Sequence, residues 1–153
     1  MALGNTYESE NCSAARALEV IGERWSLLII RDALFRGTTR FSDFQRDLGL
    51  ARNVLASRLD GFVEAGLMTR RPPENGAYHE YQLTRKGLDL KPAVIALTIW
   101  GDRWAAPNGP PIIYRHDACE GEIELQLVCN KCGEQPAMDQ IGVTPGPGFA
   151  VTH

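Results

Sequence analysis

The sequence has no apolar run long enough to cross a membrane and no segment typical of a secretion signal. A membrane helix needs about 18 consecutive residues with hardly any charge, and no stretch of this chain approaches that. Residues 1–10 lack the basic start and apolar run of a signal peptide. We expect a cytoplasmic protein with no membrane partner, whose four cysteines stay reduced unless they are sensors or metal ligands.

Motifs that support catalysis are also missing. The chain has three histidines, and neither a nucleophile nor a pair of carboxylates is arranged around His79, His116 or His153. It has no phosphate loop, dinucleotide fingerprint or nucleophile elbow. We therefore expect no enzyme. A small metal-dependent or thiol-dependent enzyme that uses the C-terminal residues is a weaker alternative.

An overall excess of positive charge is absent, but basic residues are concentrated in one region. The whole chain has a net charge of -3. Residues 31–86 hold ten Lys and Arg against seven Asp and Glu, a net charge of +3, which leaves -6 for the remainder. A positive region on an acidic protein can bind phosphates by releasing counterions, while the acidic remainder stays away from DNA.

The basic region contains two helix patterns joined by a glycine turn. Phe41, Phe44 and Leu48 follow helical spacing, which predicts a helix over residues 42–48 with Ser42 as its N-cap. Gly49 suits the left-handed turn that ends a helix. A second helix is predicted over 52–65, with an apolar face of Leu55, Leu59 and Phe62 opposite a polar face of Asn53, Ser57, Asp60 and Glu64.

A hairpin is predicted after the second helix. Residues 67–71 and 78–83 are short strand-like runs on either side of the proline-rich loop 72–76. Helix, turn, helix and hairpin in this order predict a winged helix-turn-helix, in the α+β class but mainly α. Such a fold places its second helix in the major groove and the tip of its hairpin along the DNA backbone.

Helical patterns on both sides of this segment predict a dimer. Residues 14–35 suggest two helices with a break at 22–24, and a helix capped by Thr84 is expected to reach Trp104, with Pro92 kinking or restarting it. Residues 93–99 are apolar almost all round, which indicates a buried surface against a second subunit. Trp25, Trp100 and Trp104 fit a core or dimer interface better than a ligand cage, although aromatic residues there could line a small effector pocket.

The motifs together resemble the HxlR-type transcriptional regulators of bacteria and archaea. The similarity spans residues 12–104, and we take residues 12–106 as the domain. Its motifs are Cys12 followed by residues 17–29, Arg40-Phe41-Ser42-Asp43-Phe44, Ser57-Arg58-Leu59, Ala65-Gly66-Leu67 and residues 81–87. The resemblance implies a homodimeric repressor or activator of pseudo-palindromic operators that dimerises through its first and last helices. His79 replaces a usual aliphatic residue, and residues 107–153 exceed the minimal domain.

The candidate DNA contacts lie at the start of the second helix and in the hairpin. Arg can hydrogen-bond guanine, Asn can hydrogen-bond adenine, and Ser serves either a base or a phosphate. Arg58 is nearer the packed side, so it either touches phosphate or pairs internally. The alternative is that these residues bind no DNA and are only solvent-exposed polar side chains at the start of a helix and at the end of a charged strand. The candidates are Arg52, Asn53, Ser57 and Arg58 on the helix and Arg70 and Arg71 in the hairpin.

Cys12 is a candidate sensor of oxidants or electrophiles. It directly precedes the first predicted helix, where the helix N-terminus favours a thiolate. In several members of the family that the sequence resembles, a cysteine at this position senses oxidants or electrophiles, sometimes through a disulfide between subunits. The alternative is a small buried apolar residue in the dimer contact.

The C-terminal extension, residues 107–153, contains two potential pairs of metal ligands. His116 with Cys119, and Cys129 with Cys132, are each separated by two residues, and Gly133 suits the turn after the second pair. On neighbouring hairpin arms these four residues would form a ribbon around one structural zinc ion. A redox dithiol of Cys129 and Cys132, or simple reduced cysteines, are the alternatives.

These observations predict a homodimeric regulator that binds double-stranded DNA and responds to an oxidant, an electrophile or a small effector. The alternative from another class is a winged-helix protein interaction module with a structural zinc tail, because fold alone does not prove DNA binding.

Overall fold

The computed structural model describes Tyr7, residues 11–73 and residues 78–149. The chain divides into two compact units, Met1–Val94 and Ile95–His153. This division falls inside a helix, whereas the sequence placed the domain boundary after residue 106, and that boundary stays a prediction.

The first unit has the predicted order of elements. Two helices are followed by the helix-turn-helix, the hairpin and two further helices, the last of which continues into the second unit. The elements are α1 Ser13–Ile21, α2 Ser26–Phe35, α3 Phe41–Leu48, α4 Arg52–Glu64, β1 Met68–Arg71, β2 Glu80–Leu83, α5 Arg85–Leu88 and α6 Lys91–Trp104. The fold class is therefore confirmed as a mainly helical winged helix-turn-helix.

Gly22 ends α1 at the predicted break. Its N–H donates to the carbonyl oxygen of Leu18 at 2.7 Å. A Cβ on this residue would lie 2.4 Å from the same oxygen, closer than atoms tolerate. A glycine is therefore required where the chain leaves α1, and the predicted division between α1 and α2 is confirmed.

The turn of the helix-turn-helix also follows the prediction, but the start of α3 does not. Gly49 has a φ of +64° and donates to the carbonyl oxygen of Gln45 at 2.9 Å. The side-chain amide of Gln45 then donates to the carbonyl oxygen of Leu50 at 3.3 Å. The predicted Ser42 cap is wrong: α3 begins one residue earlier, at Phe41, and its N-cap Arg40 makes no capping bond through its side chain.

The core of the first unit lies between α2, α3, α4 and the hairpin. The predicted apolar face of α4 is confirmed, since Leu55, Leu59 and Phe62 are buried. Burying each side chain of this size stabilises the fold by roughly 1.5–3 kcal/mol. The other core residues are Ile29, Ile30, Phe44, Leu50, Leu67, Met68, Tyr81 and Val94. Because this core holds one face of α4, the opposite face is left for a partner.

The hairpin is attached to the chain that precedes α3. β1 and β2 pair antiparallel, from Met68 opposite Leu83 to Arg71 opposite Glu80. The N–H of Tyr81 donates to the carbonyl oxygen of Thr39 at 2.8 Å, and residue 40 forms a further bridge to residue 80. The predicted hairpin is thus confirmed with shorter strands. Residues 74–76 of its predicted loop lie outside the described residues.

The end of the hairpin and the following helices are held by the predicted cap. The hydroxyl oxygen of Thr84 accepts from the N–H of Gly87 at 3.3 Å, which starts α5. Pro92 is the second residue of α6, so it restarts a helix and does not kink one. Proline is tolerated there because an N–H in the first turn has no partner within the helix.

In the second unit, α6 exposes an apolar stripe. The exposed fractions are 52% for Leu97, 62% for Trp100 and 67% for Trp104. These residues are three and four positions apart, so they lie along one side of the helix. Trp100 and Trp104 therefore do not belong to a core of the single chain. Of the two locations expected for them, core and dimer interface, only the interface is compatible with this exposure.

The rest of the second unit consists of turns, short segments without regular structure and one 3-10 helix, Met138–Gln140. The Tyr114 hydroxyl lies 3.1 Å from the Thr98 hydroxyl on α6. Between residues 107 and 149 only Tyr114, Cys129 and Pro136 are half-buried, and every other residue is exposed. Among the described residues, no helix combines the length and the apolar character that spanning a membrane requires.

Candidate nucleic-acid interface

The outward face of α4 carries the predicted base contacts. Ala51 is the N-cap in an extended conformation, and α4 begins at Arg52. Arg52, Asn53 and Ser57 are all exposed. The N-terminal turn of a recognition helix is the part that enters the major groove first, and its N–H groups favour a nearby phosphate. Their exposure is consistent with the predicted contacts, which stay a prediction.

A groove of about 420 Å³ runs beside this face of α4. It is bounded by the start of α3, by α4 and by the hairpin. The residues that line it are Arg40, Phe41, Ser42, Gln45, Arg52, Ala56, Asp60, Arg70, Tyr78, His79 and Tyr81. The groove therefore brings one predicted base contact, Arg52, and one predicted backbone contact, Arg70, to the same surface.

Arg52 is held by an aromatic ring and not by a carboxylate. Its guanidinium lies 5.1 Å from the centre of the Phe41 ring, a geometry in which the cation is attracted to the ring face. Among the described residues Arg52 forms no ion pair. The side chain is thus oriented while its full charge stays available to an anion.

Arg58 pairs internally, which was one of the two outcomes that the sequence left open. Its guanidinium donates to the carboxylate of Glu23 at 3.0 Å, and its side chain is only 28% exposed. Glu23 lies in the turn between α1 and α2. Arg58 therefore joins α4 to that turn, which makes it a weaker candidate for DNA contact than Arg52.

Arg70 and Arg71 are the last two residues of β1, and both are exposed. Neither forms an ion pair with the residues that the structure describes. Glu80, which lies opposite Arg71 in the sheet, is 3.6 Å from the Arg40 guanidinium. Both hairpin arginines therefore keep their charge for a phosphate.

Much of the remaining positive charge in this region is neutralised. Arg31 lies 2.7 Å from the fully buried Asp32. Arg46 lies 2.8 Å from Asp47 and 2.9 Å from Asp43. The hydrogen bond that Arg46 donates to Asp47, and the negative charges of both aspartates, raise the pKa of Arg46 above its ordinary value. The positive surface is thus narrower than the composition of residues 31–86 indicated.

Nine of the eleven residues that line the groove were not among the predicted contacts, and Arg40, Gln45 and His79 are three of them. Arg40 and Gln45 flank the buried face of α3, and His79 precedes β2. A polar residue on either side of the helical pattern of Phe41 and Phe44 was a usable signal for the first two. His79 had drawn attention only as a departure from a family pattern, and the structure places it in the lining of the groove.

Cys12 is the N-cap of α1, as predicted. Its backbone is extended, its carbonyl oxygen accepts from the N–H of Arg16 at 3.0 Å, and the residue is exposed. Cys12 is therefore not buried within a single chain. The predicted alternative then requires burial against a second subunit.

The two predicted ligand pairs of the second unit each close locally. The His116 Nδ1 atom lies 3.2 Å from the Cys119 Sγ atom. Hydrogen bonds from the backbone N–H groups of Cys132 and Lys131 lower the pKa of the Cys129 thiol. All four cysteines of the chain are free. Within the described ranges, no three His, Cys, Asp or Glu side chains gather as a metal site, so the expected four-ligand cluster is not assembled in one chain.

The structure describes two of the three histidines. His79 lines the groove, as Arg70 does, and the His116 Nδ1 atom faces the Cys119 thiol in an exposed turn. The third, His153, lies outside the described residues.

Comparisons with known proteins extend this picture. The model of the HxlR-like helix-turn-helix family matches residues 20–109. The chain is 45% identical over 152 residues to Rv3095 of Mycobacterium tuberculosis, an uncharacterized HTH-type transcriptional regulator, and the match covers 96% of this chain and 92% of the relative.

Solved structures agree with the family. PA1607, a candidate transcription factor, superposes with a TM-score of 0.84 at 38% identity, over 93% of this chain and 100% of its own. The redox regulator HypR in its reduced form superposes with a TM-score of 0.54 at 26% identity, over 60% of this chain and 92% of its own. These relatives are regulators and not enzymes, and the model match covers more than half of the sequence. The chain therefore belongs to the HxlR-like helix-turn-helix family of transcriptional regulators.

Proposed function

We propose that this protein is a homodimer that binds pseudo-palindromic operators in double-stranded DNA and regulates transcription from them. The observation that carries the proposal is the groove beside α4. There Arg52, oriented by Phe41 and in no ion pair among the described residues, shares one surface with Arg70 of the hairpin. Arg52 and Asn53 are the side-chain types that recognise guanine and adenine in the major groove. Arg70 and Arg71 supply contacts to the backbone.

Dimerisation is supported by apolar surface that the single chain leaves uncovered. Leu97, Trp100 and Trp104 form an exposed stripe on α6, and Leu18 of α1 is 49% exposed. α1 also borders an apolar groove of about 300 Å³ that Leu67 and Leu90 help to line. A twofold dimer covers the same surface on both subunits and presents two copies of α4 to two half-sites.

Cys12 is the proposed entry point for a redox signal. HypR has been solved in a reduced and an oxidised form, which makes redox control a property to test in this chain. A disulfide between two Cys12 residues would form when both thiols lose their protons and two electrons to a hydroperoxide, which leaves as water and an alcohol. Such a bond would fix the relative position of the two α1 helices, and a change in the spacing of the two α4 helices would change operator affinity.

The first experiment identifies the operator and then tests how it is recognised. Genomic fragments captured by the purified protein give a consensus, and titration of that duplex and of a scrambled duplex gives both affinities. We expect Arg52→Ala to lose about 1–3 kcal/mol of discrimination at the base pair that it contacts, and to bind the scrambled duplex nearly as the wild type does. Arg85→Ala is the matched control, since Arg85 is paired with Asp89 at 2.9 Å.

Two outcomes would contradict the proposal. If no genomic fragment is enriched, or if binding is insensitive to salt, the winged helix is a protein interaction module. If Arg52→Ala leaves the preference for the operator unchanged, α4 does not read the sequence through this residue.

The redox step is tested separately. Wild type and Cys12→Ser are treated with a mild hydroperoxide and compared by non-reducing electrophoresis and operator affinity. We expect a cross-linked dimer and altered affinity only in the wild type. An identical band pattern in both proteins would remove Cys12 from the mechanism and leave the DNA-binding proposal intact.

A further inference from the structure

The two ligand pairs of the second unit sit in turns with the same backbone hydrogen bonds. In the second turn, the N–H of Cys129 donates to the carbonyl of Glu134, and the N–H of Gly133 donates to the carbonyl of Cys129, both at 2.9 Å. Gly133 has a φ of +76°. A glycine is expected there because other residues resist a left-handed backbone.

The first turn repeats this pattern residue for residue. The N–H of His116 donates to the carbonyl of Gly121 at 2.8 Å, and the N–H of Glu120 donates to the carbonyl of His116 at 2.7 Å. Glu120 has a φ of +58° and is the one non-glycine residue with a positive φ in the described part of the chain. Because a left-handed glutamate is unfavourable, the surrounding structure must specify this turn.

Each turn directs two ligand atoms to one side. The His116 Nδ1 and Cys119 Sγ atoms are 3.2 Å apart, a separation compatible with two ligands of one tetrahedral zinc ion. The Cys129 Sγ atom accepts N–H hydrogen bonds from Lys131 and Cys132 and a further hydrogen bond from the Cys132 side chain. Each turn is therefore half of a four-ligand site, with histidine and one cysteine in the first and two cysteines in the second.

The two halves cannot meet within one chain as it is folded. Across the second turn, the side-chain amide of Gln135 donates to that of Gln126 at 2.9 Å. Across the first turn, the N–H of Ile123 donates to the carbonyl oxygen of Tyr114 at 2.9 Å. Residues 121–128 connect the two turns without a turn or bend. Eight extended residues span roughly 25 Å. Ligands of one zinc ion lie about 2.0–2.3 Å from the metal, so one ion does not reach both turns.

The connecting segment has a face that fits a second copy of itself. Ile123, Leu125 and Leu127 alternate with polar residues, so they share one side of the extended chain, and all three are exposed. The first turn carries two negative charges, Asp117 and Glu120, whereas Lys131 and Glu134 cancel in the second turn. A first turn is therefore repelled less by the second turn of a partner than by another first turn.

We propose that two copies of this segment pair antiparallel and build two zinc sites, each from His116 and Cys119 of one subunit and the two cysteines of the second turn of its partner. A twofold axis near the middle of the segment brings the first turn of each copy to the second turn of the other, so both sites form together. Zn²⁺ is bound by three thiolates, whose protons are released, and by the neutral His116 imidazole. The ions hold together a region that has no core of its own.

The decisive test is complementation between two broken variants of the full chain. Cys119→Ser disables the first turn, and Cys129→Ser disables the second. In the proposed arrangement, either variant alone holds no complete site. When the two are co-expressed with different tags and the mixed dimer is isolated by both tags, one site unites the two intact turns. Elemental analysis should therefore give about one zinc ion per chain for the wild type, about half an ion per chain for the mixed dimer, and close to none for either variant alone.

The controls separate the metal from the arrangement. Cys12→Ser should keep the full zinc content, since Cys12 is not in either turn. A wild-type protein with less than about half a zinc ion per chain when it is purified without added metal overturns the site itself. A zinc-loaded wild type whose mixed dimer holds no zinc overturns the pairing between subunits. If the variants fail to fold, their helical circular dichroism will differ from that of the wild type, and His116→Asn with Cys132→Ser then provides a second complementing pair.

Discussion

Replacement of Arg71 by alanine tests how the hairpin contacts DNA, because the effect has a calculable size. Arg71 is exposed at the end of β1 and forms no ion pair with the described residues, while Glu80 opposite it is engaged by Arg40. If Arg71 contacts one phosphate in each subunit, the dimer loses two contacts. Each contact contributes about 0.9 to the slope of log affinity against log salt, so Arg71→Ala should reduce the slope by about 1.8.

The assay is fluorescence anisotropy with the operator and a scrambled duplex over a series of salt concentrations. Between 50 and 200 mM salt, a slope smaller by 1.8 means that the variant loses about 12-fold less affinity than the wild type does. Both duplexes should show the same change, because phosphates carry no sequence. An unchanged slope, or a loss confined to the operator, would refute a backbone contact. Arg85→Ala, whose guanidinium is paired with Asp89, should leave the slope unchanged.

Three further substitutions test the packing that positions α4, each by urea denaturation. Gly87→Ala should destabilise by about 3 kcal/mol, since its Cβ would lie 2.3 Å from the Leu67 carbonyl oxygen and 2.8 Å from the Leu83 side chain. Thr84→Ala should cost about 1 kcal/mol, because α5 loses its cap. Leu59→Ala should cost about 2–5 kcal/mol, because a fully buried side chain leaves a cavity.

Each of these predictions has its own control. Gly49→Ala meets no neighbouring atom, and only its φ of +64° opposes it, so it should cost less than Gly87→Ala, about 1 kcal/mol. Equal losses at the two glycines would show that crowding against Leu67 is not the cause. Asp60→Ala, on the exposed side of α4, should be nearly neutral. Thr84→Ser keeps the hydroxyl and should retain most of the stability that the alanine variant loses.

The elements of the first unit could be predicted because their signals are local. The left-handed turn at Gly49, the cap at Thr84 and the apolar face of α4 each depend on residues within one or two helical turns. The start of α3 was missed by one residue. Ser42 is a good capping residue, but the bridge from residue 40 to residue 80 keeps Arg40 extended, so the helix begins at Phe41. That bridge joins positions forty residues apart, which a local pattern does not reveal.

For the candidate site, the sequence predicted the types of side chain better than it predicted how they are arranged in space. Arg52 and Asn53 could be placed at the start of α4, but the pairing of Arg58 with Glu23 depends on how two separate helices pack. The turns around His116 and Cys129 follow from the spacing of their ligands. Their separation does not, because residues 121–128 fit a straight segment and a bent one equally well in sequence.

The attachment of the hairpin to Thr39 has a mechanical consequence. Tyr81 is bonded to the residue that precedes Arg40, and α4 is packed on the same core, so hairpin and recognition helix cannot tilt independently. A signal that reaches the protein therefore moves the hairpin and α4 together, as one unit. Rotation at its base carries Arg52 and Arg70, the proposed base and backbone contacts, through the same angle, and displacement grows with distance from the pivot. Regulation then requires no remodelling of the DNA-binding surface, only a change in the angle at which two unaltered surfaces approach the duplex.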